Sequence, residues 1–320
     1  MNSKQRIEQV GLALGSGGAR GWAHLGAVKA LREHGIRVEC IAGSSMGALV
    51  GAFIAAGSED ILYELAMHLD WNRVRSFLWE ISLSRSGLTD GHKLFVEAEK
   101  LLGVKEFRKL GIPFRAVATD LRTGKEAVLG SGNLLNAIRA SISIPGLFSP
   151  ACVGKRLMVD GGLINPVPVN VARAMGASVV LAVDVSQGIA PDSILQEPAK
   201  ALQPSPPLSE RPLQLPKTAH SGEEAGAIQM LEHFFSDVEK KAKRLYAAAK
   251  GPSMVDILVR SIRISEAQLA LMQRQLNPPD ILVEVPVGYV GTLEFQHAAK
   301  AIELGYRATN KALEAYSTPY

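Results

Sequence analysis

Short apolar runs alternate along this chain with longer stretches in which apolar residues recur at helical spacing. Val10 to Leu14 is one such run; it ends at Gly15, and Gly21 to His34 then has helix-compatible spacing, so the opening reads strand, glycine loop, helix. Val38 to Ala42 repeats the pattern, breaks at Gly43-Ser44-Ser45-Met46-Gly47 and resumes as an Ala/Leu/Val/Phe-rich helix through Ala56. Further strands are expected at Phe114 to Thr119, Ala127 to Leu129, Ser178 to Val185 and Ile281 to Val285, with helical patterns between several of them. Such alternation predicts an α/β fold in which a mostly parallel central sheet is covered by helices on both faces.

The pattern lapses once. Between Ala190 and Lys217 seven of the 17 prolines fall within 28 residues, which predicts an exposed linker or a loop ordered on binding. Beyond it Ile228, Leu231, Phe235, Val238, Ala242 and Leu245 recur at steps of three and four and mark one apolar helix stripe, whose default role is packing on the core. With 320 residues, 47 % hydrophobic and 21 % charged, the chain has material for a large core and is neither disordered nor collagen-like in composition. Cys40 and Cys152 cannot build a disulfide framework, and no apolar signal region follows Met1, so a reducing, cytoplasmic location is expected. The most apolar stretch, Ile41 to Gly57, is shorter than the ~20 residues of a membrane span and reads as buried core.

A net charge of +4 is too weak to argue for nucleic acid, and no zinc, homeodomain or RNA-binding signature accompanies it. The charge is uneven: Trp71 to Lys125 holds 11 Lys/Arg against 6 Asp/Glu, together with Trp71, Phe77, Leu78 and Trp79. Two readings stay open for this stretch. Its aromatics and arginines suit peripheral contact with anionic head groups, or they belong to a helix pair packed inward over the active site.

Gly43-Ser44-Ser45-Met46-Gly47 fits G-x-S-x-G with Ser45 as the serine, whereas Ser44 would need glycine at Ala42. A serine pushed out at a tight strand-to-helix turn sits in strained backbone, and side chains two residues to either side would collide, hence Gly43 and Gly47. Ser45 is the candidate nucleophile. Gly15-Ser16-Gly17-Gly18-Ala19-Arg20-Gly21 offers unencumbered amides between strand and helix, suited to cradle a phosphate or to stabilise an oxyanion. The dinucleotide fingerprint fails here because Arg20 stands where glycine is required. The most distinctive acid is Asp160 in Asp160-Gly161-Gly162, just after the apolar Leu157-Met158-Val159. A histidine base after the acid in the chain would complete a Ser-His-Asp triad; His233 and His297 are the candidates, in helical patterns without turn signals.

These three motifs, in this order, resemble the patatin-like phospholipase family, whose pattern is G-G-G-x-[RK]-G, G-x-S-x-G and D-G-[GA]. Ser16-Gly17-Gly18-Ala19-Arg20-Gly21 matches the first with Ser16 in place of a glycine, Gly43 to Gly47 the second, and Asp160-Gly161-Gly162 the third. The likeness continues through Ala118-Thr119-Asp120-Leu121, Ala140 to Gly146, Asn165-Pro166-Val167-Pro168 and Asp280 to Tyr306, and looks closest to bacterial members near the neuropathy-target-esterase branch.

The resemblance implies a three-layer fold, with residues 7–189 and 223–316 forming the hydrolase domain and 190–222 a proline-rich linker or insert. It also implies hydrolysis of lipid carboxyl esters, phospholipid or lysophospholipid, by a Ser45–Asp160 dyad. The NH groups of Gly17, Gly18 and Met46 would hold the oxyanion. Gly15, Arg20, Gly43, Gly47, Gly161, Gly162 and Asn165 would support the motifs, Arg20 by binding phosphate or by clamping the glycine loop through an acidic partner, Asn165 and Pro145 by shaping loops. His24 would be structural. A Ser-Asp dyad requires no metal or other cofactor, and no calcium loop of the D-x-[DN]-x-[DN]-G kind occurs. Two rivals stand beside this reading: a Ser-His-Asp carboxylesterase, and a non-catalytic regulator binding acyl chains or a protein.

Overall fold

The computed structural model describes residues 7–68, 98–188 and 254–317. The proline-rich stretch, the Ile228 to Leu245 stripe, His233 and the aromatic cluster at Trp71 to Trp79 lie outside the described residues.

Among the described residues an eight-stranded sheet forms the middle layer. In chain order the elements are β1 (Gln9–Leu14), α1 (Ala23–Glu33), β2 (Arg37–Ser44), α2 (Met46–Ala56), α3 (Glu59–His68), β3 (Phe114–Asp120), β4 (Glu126–Leu129), α4 (Leu134–Ser141), β5 (Ala151–Val153), β6 (Arg156–Asp160), α5 (Val169–Ala174), β7 (Val180–Asp184), α6 (Met254–Leu276), β8 (Ile281–Glu284) and α7 (Ala298–Ser317). The pairs β1–β2, β1–β7, β2–β3 and β7–β8 are parallel, as the alternation predicts. The pairs β3–β4, β3–β6 and β5–β6 are antiparallel. The hairpin β5–β6 is absent from the sequence expectations, because strands of three and five residues carrying an exposed Cys152 and an exposed Leu157 show no apolar run of strand length. The first helix starts at Ala23, two residues later than its spacing suggests, because Gly18–Trp22 winds as a 3-10 turn.

Side-chain alternation sorts the parallel strands into two faces. Leu12, Leu14, Ile41, Leu181 and Val183 point into the larger core, with α1, α2 and α7. Ala13, Cys40, Ala42, Val180 and Ala182 point the other way, against Val169, Val171 and Ala172 of α5. Each fully buried Leu or Ile of this kind stabilises the fold by about 1.5–3 kcal/mol. Gly11 lets the chain beyond α5 lie close to this face: a Cβ there would come 3.0 Å from Cys40 Sγ and collide with Ala177.

One register decides where the chemistry can sit. Strand β3 pairs with β4 through residues 116–119, so β4 owns one edge of it. On the opposite edge β2 pairs with Phe114 to Val117, ending with Ser44 opposite Val117, and β6 takes over with Asp160 opposite Ala118. Two strands thus meet end to end on adjacent residues of β3, and their last residues bring Ser45 and Asp160 together. No helix among the described residues is long and apolar enough to cross a membrane.

Candidate active site

Ser45 follows the last residue of β2 and caps α2 with φ 53° and ψ −122°, the only non-glycine residue with positive φ among those described. For a serine this is a costly backbone, held by its surroundings. Its amide donates to Ser141 Oγ at 2.9 Å, and Ser141 Oγ in turn donates to the Val117 carbonyl at 2.5 Å. The flanking glycines are required by close approach: a Cβ on Gly43 would lie 2.6 Å from Ala48 Cα, and one on Gly47 would lie 2.7 Å from the Gly15 carbonyl oxygen.

Ser45 Oγ donates to Asp160 Oδ2 at 2.6 Å. The second carboxyl oxygen accepts from the Gly162 amide at 2.8 Å, and the Asp160 carbonyl accepts from Thr119 Oγ1 at 2.7 Å. A Cβ on Gly161 would lie 2.7 Å from Ser44 Oγ, so glycine there lets β6 finish against the elbow. Burial drives the Asp160 carboxyl well above the usual carboxylate range, and the hydrogen bonds from Ser45 and Gly162 only partly offset it.

Four amides pin the glycine loop on either side of its centre. Gly15 N donates to Val183 O, Ser16 N to Pro166 O, Ala19 N to Thr292 O and Arg20 N to Gly17 O. The amides of Gly17 and Gly18, and that of Met46 at the first turn of α2, have no partner among the described residues. Gly18 has φ 56°, and a side chain there would strike the Thr292 carbonyl. Arg20 is 1 % exposed and its Nε donates to Gly17 O at 3.0 Å, a backbone carbonyl of the glycine loop in place of the expected acidic partner. Burial lowers its pKa to about 9, helped by Arg263. His24 is buried with Nε2 2.8 Å from the Gly15 carbonyl, and desolvation lowers it to about 4, so it stays neutral and donates to that carbonyl.

Asn165 is also inside, its Nδ2 donating to Glu126 Oε1 at 2.5 Å and to Asn170 Oδ1 at 2.8 Å, which ties the loop after Asp160 to β4 and α5. It borders a polar cavity of about 160 Å³ shared with Gln273 and Asn277. His297 is partly exposed, 3.8 Å from Glu294 and edge-on to Tyr289, and is not hydrogen-bonded to Ser45 or Asp160. Two residues that the sequence reading did not single out help build the site: Ser141, inside a quoted motif run but given no role, and Glu266. No residue pattern marks Glu266: its place on the inward stripe of α6, among the buried Arg263, Ala267 and Ala270, emerges only in the structure.

This is the layout of an ester hydrolase on an α/β sheet, and comparison with known proteins narrows it. Residues 12–173 match the family model described as patatin-like phospholipase. An uncharacterised NTE family protein of Mycobacterium tuberculosis (strain ATCC 25618 / H37Rv) is 32 % identical, covering 96 % of this chain and 92 % of its own length. Lysophospholipase NTE1 of Pyricularia oryzae is 25 % identical over 94 % of this chain, which spans 18 % of that longer protein. The solved structure of VipD from Legionella pneumophila superposes with a TM-score of 0.46 at 16 % identity, over 97 % of this chain and 67 % of that one, too loosely to argue from. The chain belongs to the patatin-like phospholipase family, near its NTE branch. It is a lipid ester hydrolase.

Proposed function

We propose that the protein hydrolyses phospholipid or lysophospholipid carboxyl esters through a Ser45–Asp160 dyad and an acyl-enzyme. The observation that carries this reading is the 2.6 Å hydrogen bond from Ser45 Oγ to a buried carboxylate, at a strained turn beside three amides that have no partner among the described residues. Asp160 takes the proton of Ser45 as Oγ bonds to the ester carbonyl carbon. The carbonyl oxygen becomes an oxyanion held by the NH groups of Gly17, Gly18 and Met46. When the tetrahedral species collapses, the leaving alcohol takes the proton from Asp160. A water molecule then gives a proton to Asp160 as its oxygen bonds to the acyl carbon. When this second tetrahedral species collapses, the bond to Ser45 Oγ breaks, Asp160 returns the proton to Oγ, and fatty acid leaves. An ordinary aspartate is a weak base for a hydroxyl, so the burial that raises Asp160 is part of the chemistry.

The substrate class is supported by family membership and by the printed name of the fungal relative. On this reading substrate is drawn from a membrane or micelle surface by peripheral contact, at the inner face of the membrane if the protein is cytoplasmic. The test is release of fatty acid from lysophosphatidylcholine micelles by purified protein. Wild type should release it, while Ser45→Ala and Asp160→Asn, both folded by circular dichroism, should not; hydrolysis retained by either folded variant would refute the dyad.

A further inference from the structure

A second carboxyl lies in the site. Glu266 leans inward from α6, its stem partly exposed and its carboxyl inside. Its Oε1 fills the space that a Cβ on Gly162 would occupy, and Ser16 Oγ lies 2.8 Å from the same point. Gly162 supplies the amide that holds Asp160 Oδ1. Ser16 precedes the two unpartnered amides of Gly17 and Gly18. One carboxyl therefore packs against the loop of the base and the loop of the amides at once.

The charged groups facing it are Asp160 at the end of β6, Arg20 from the 3-10 turn and Arg263 one turn earlier on α6, with Asp184 acting on Arg20 from β7. Burial and the neighbouring Asp160 push Glu266 upward, and Arg20, Arg263 and Ser16 only partly oppose this. Two buried carboxyls that repel one another in this way do not both ionise readily. Asp160 accepts hydrogen bonds from Ser45 and from the Gly162 amide, donors that favour its ionised form, so when one proton is shared Glu266 holds it.

We propose that Glu266 is a positioning residue for the ester hydrolysis: neutral, it braces the Gly17–Gly18 loop against the Asp160–Gly162 loop, and ionised, it shuts the reaction down by placing a second negative charge beside the forming oxyanion. The proposal rests on the Ser45–Asp160 reading. It gives two features of the sequence one cause. Gly162 is glycine because a methyl there would collide with the carboxyl, and Ser16, standing where the family pattern has glycine, places a hydroxyl beside the same carboxyl.

The experiment is kcat/KM for a soluble p-nitrophenyl ester across about pH 5 to 10, read on wild type, Glu266→Gln and Ser45→Ala. Wild type should show a bell, its acidic limb from Asp160 and its alkaline limb from Glu266. Glu266→Gln copies the neutral acid in shape and should lose the alkaline limb, its kcat/KM staying level from neutral pH upward. A Glu266→Gln profile that superimposes on wild type overturns the proposal, as does a wild type without an alkaline limb. Activity in Ser45→Ala would instead overturn the dyad beneath it, so the two failures are distinct. A second arm covers misfolding of the single variant: Gly162→Ala should lose ~10²-fold or more in kcat, and adding Glu266→Ala should restore at least ~10-fold of that. No recovery in the double variant would contradict the contact.

Discussion

Asp160 is a carboxyl group in an environment that opposes its charge. Its raised affinity for a proton in the folded chain has two measurable signs. The acidic limb of kcat/KM should lie well above the ordinary aspartate value of about 3.9, because Asp160 must be ionised to accept the Ser45 proton. The folded state also binds that proton more tightly than the unfolded chain does. The resulting stabilisation is full below the unfolded carboxyl range and is lost as pH rises through the raised folded value. Asp160→Asn removes the loss, so its thermal midpoint should exceed that of wild type near about pH 8 and the two should converge near about pH 4, while activity falls by ~10³-fold or more. Equal midpoints at both pH values would show that Asp160 ionises at no cost to the fold.

Among the elements, the glycine loop and the crossing of α1 with α7 carry separate burdens. Gly18 holds a positive φ against the Thr292 carbonyl with its amide unpartnered, so Gly18→Ala should cost ~10²-fold in kcat, the usual loss for one oxyanion donor. At the helix crossing, Gly26 lies against the Ile302 carbonyl and Gly305 against that of Ala23. Gly305→Ala should destabilise by about 1–3 kcal/mol in urea unfolding, with the specific activity of the folded fraction unchanged. The elbow was legible in the sequence because strain there demands Gly43 and Gly47 at fixed spacing around Ser45. Asp160 was legible because two glycines follow an apolar run. What the sequence could not disclose is the antiparallel hairpin β5–β6, too short to show a period, and the inward aim of Glu266, since glutamate in a helix with arginines and glutamines reads as solvent-facing. The partner of Arg20 was equally hidden: it is the carbonyl of Gly17, three residues away, which no residue pattern marks.

At the scale of the molecule, β1, β2 and β7 run parallel and end at the same side of the sheet, where Leu14 leads into the glycine loop and Ser44 into the elbow. Ligands of open parallel sheets lie at that end. His24 anchors this corner from α1, and its burial makes the corner sensitive to acid. With a folded pKa of about 4 against 6.5 unfolded, its contribution is present above about pH 6.5 and lost as pH falls toward 4. His24→Gln, whose side-chain amide can still reach the Gly15 carbonyl, should flatten that part of the stability profile in denaturant titrations; an unaltered profile would mean that His24 is protonated without penalty.

The central claim is that Ser45 is activated by Asp160 without a histidine. The most direct measurement is intact and peptide mass spectrometry after brief exposure to a fluorophosphonate, on wild type, Asp160→Asn, His233→Ala and His297→Ala. A single adduct on Ser45 in wild type and both histidine variants, with little or none in folded Asp160→Asn, is the predicted result. Labelling that survives in Asp160→Asn, or that disappears with either histidine, would contradict the account.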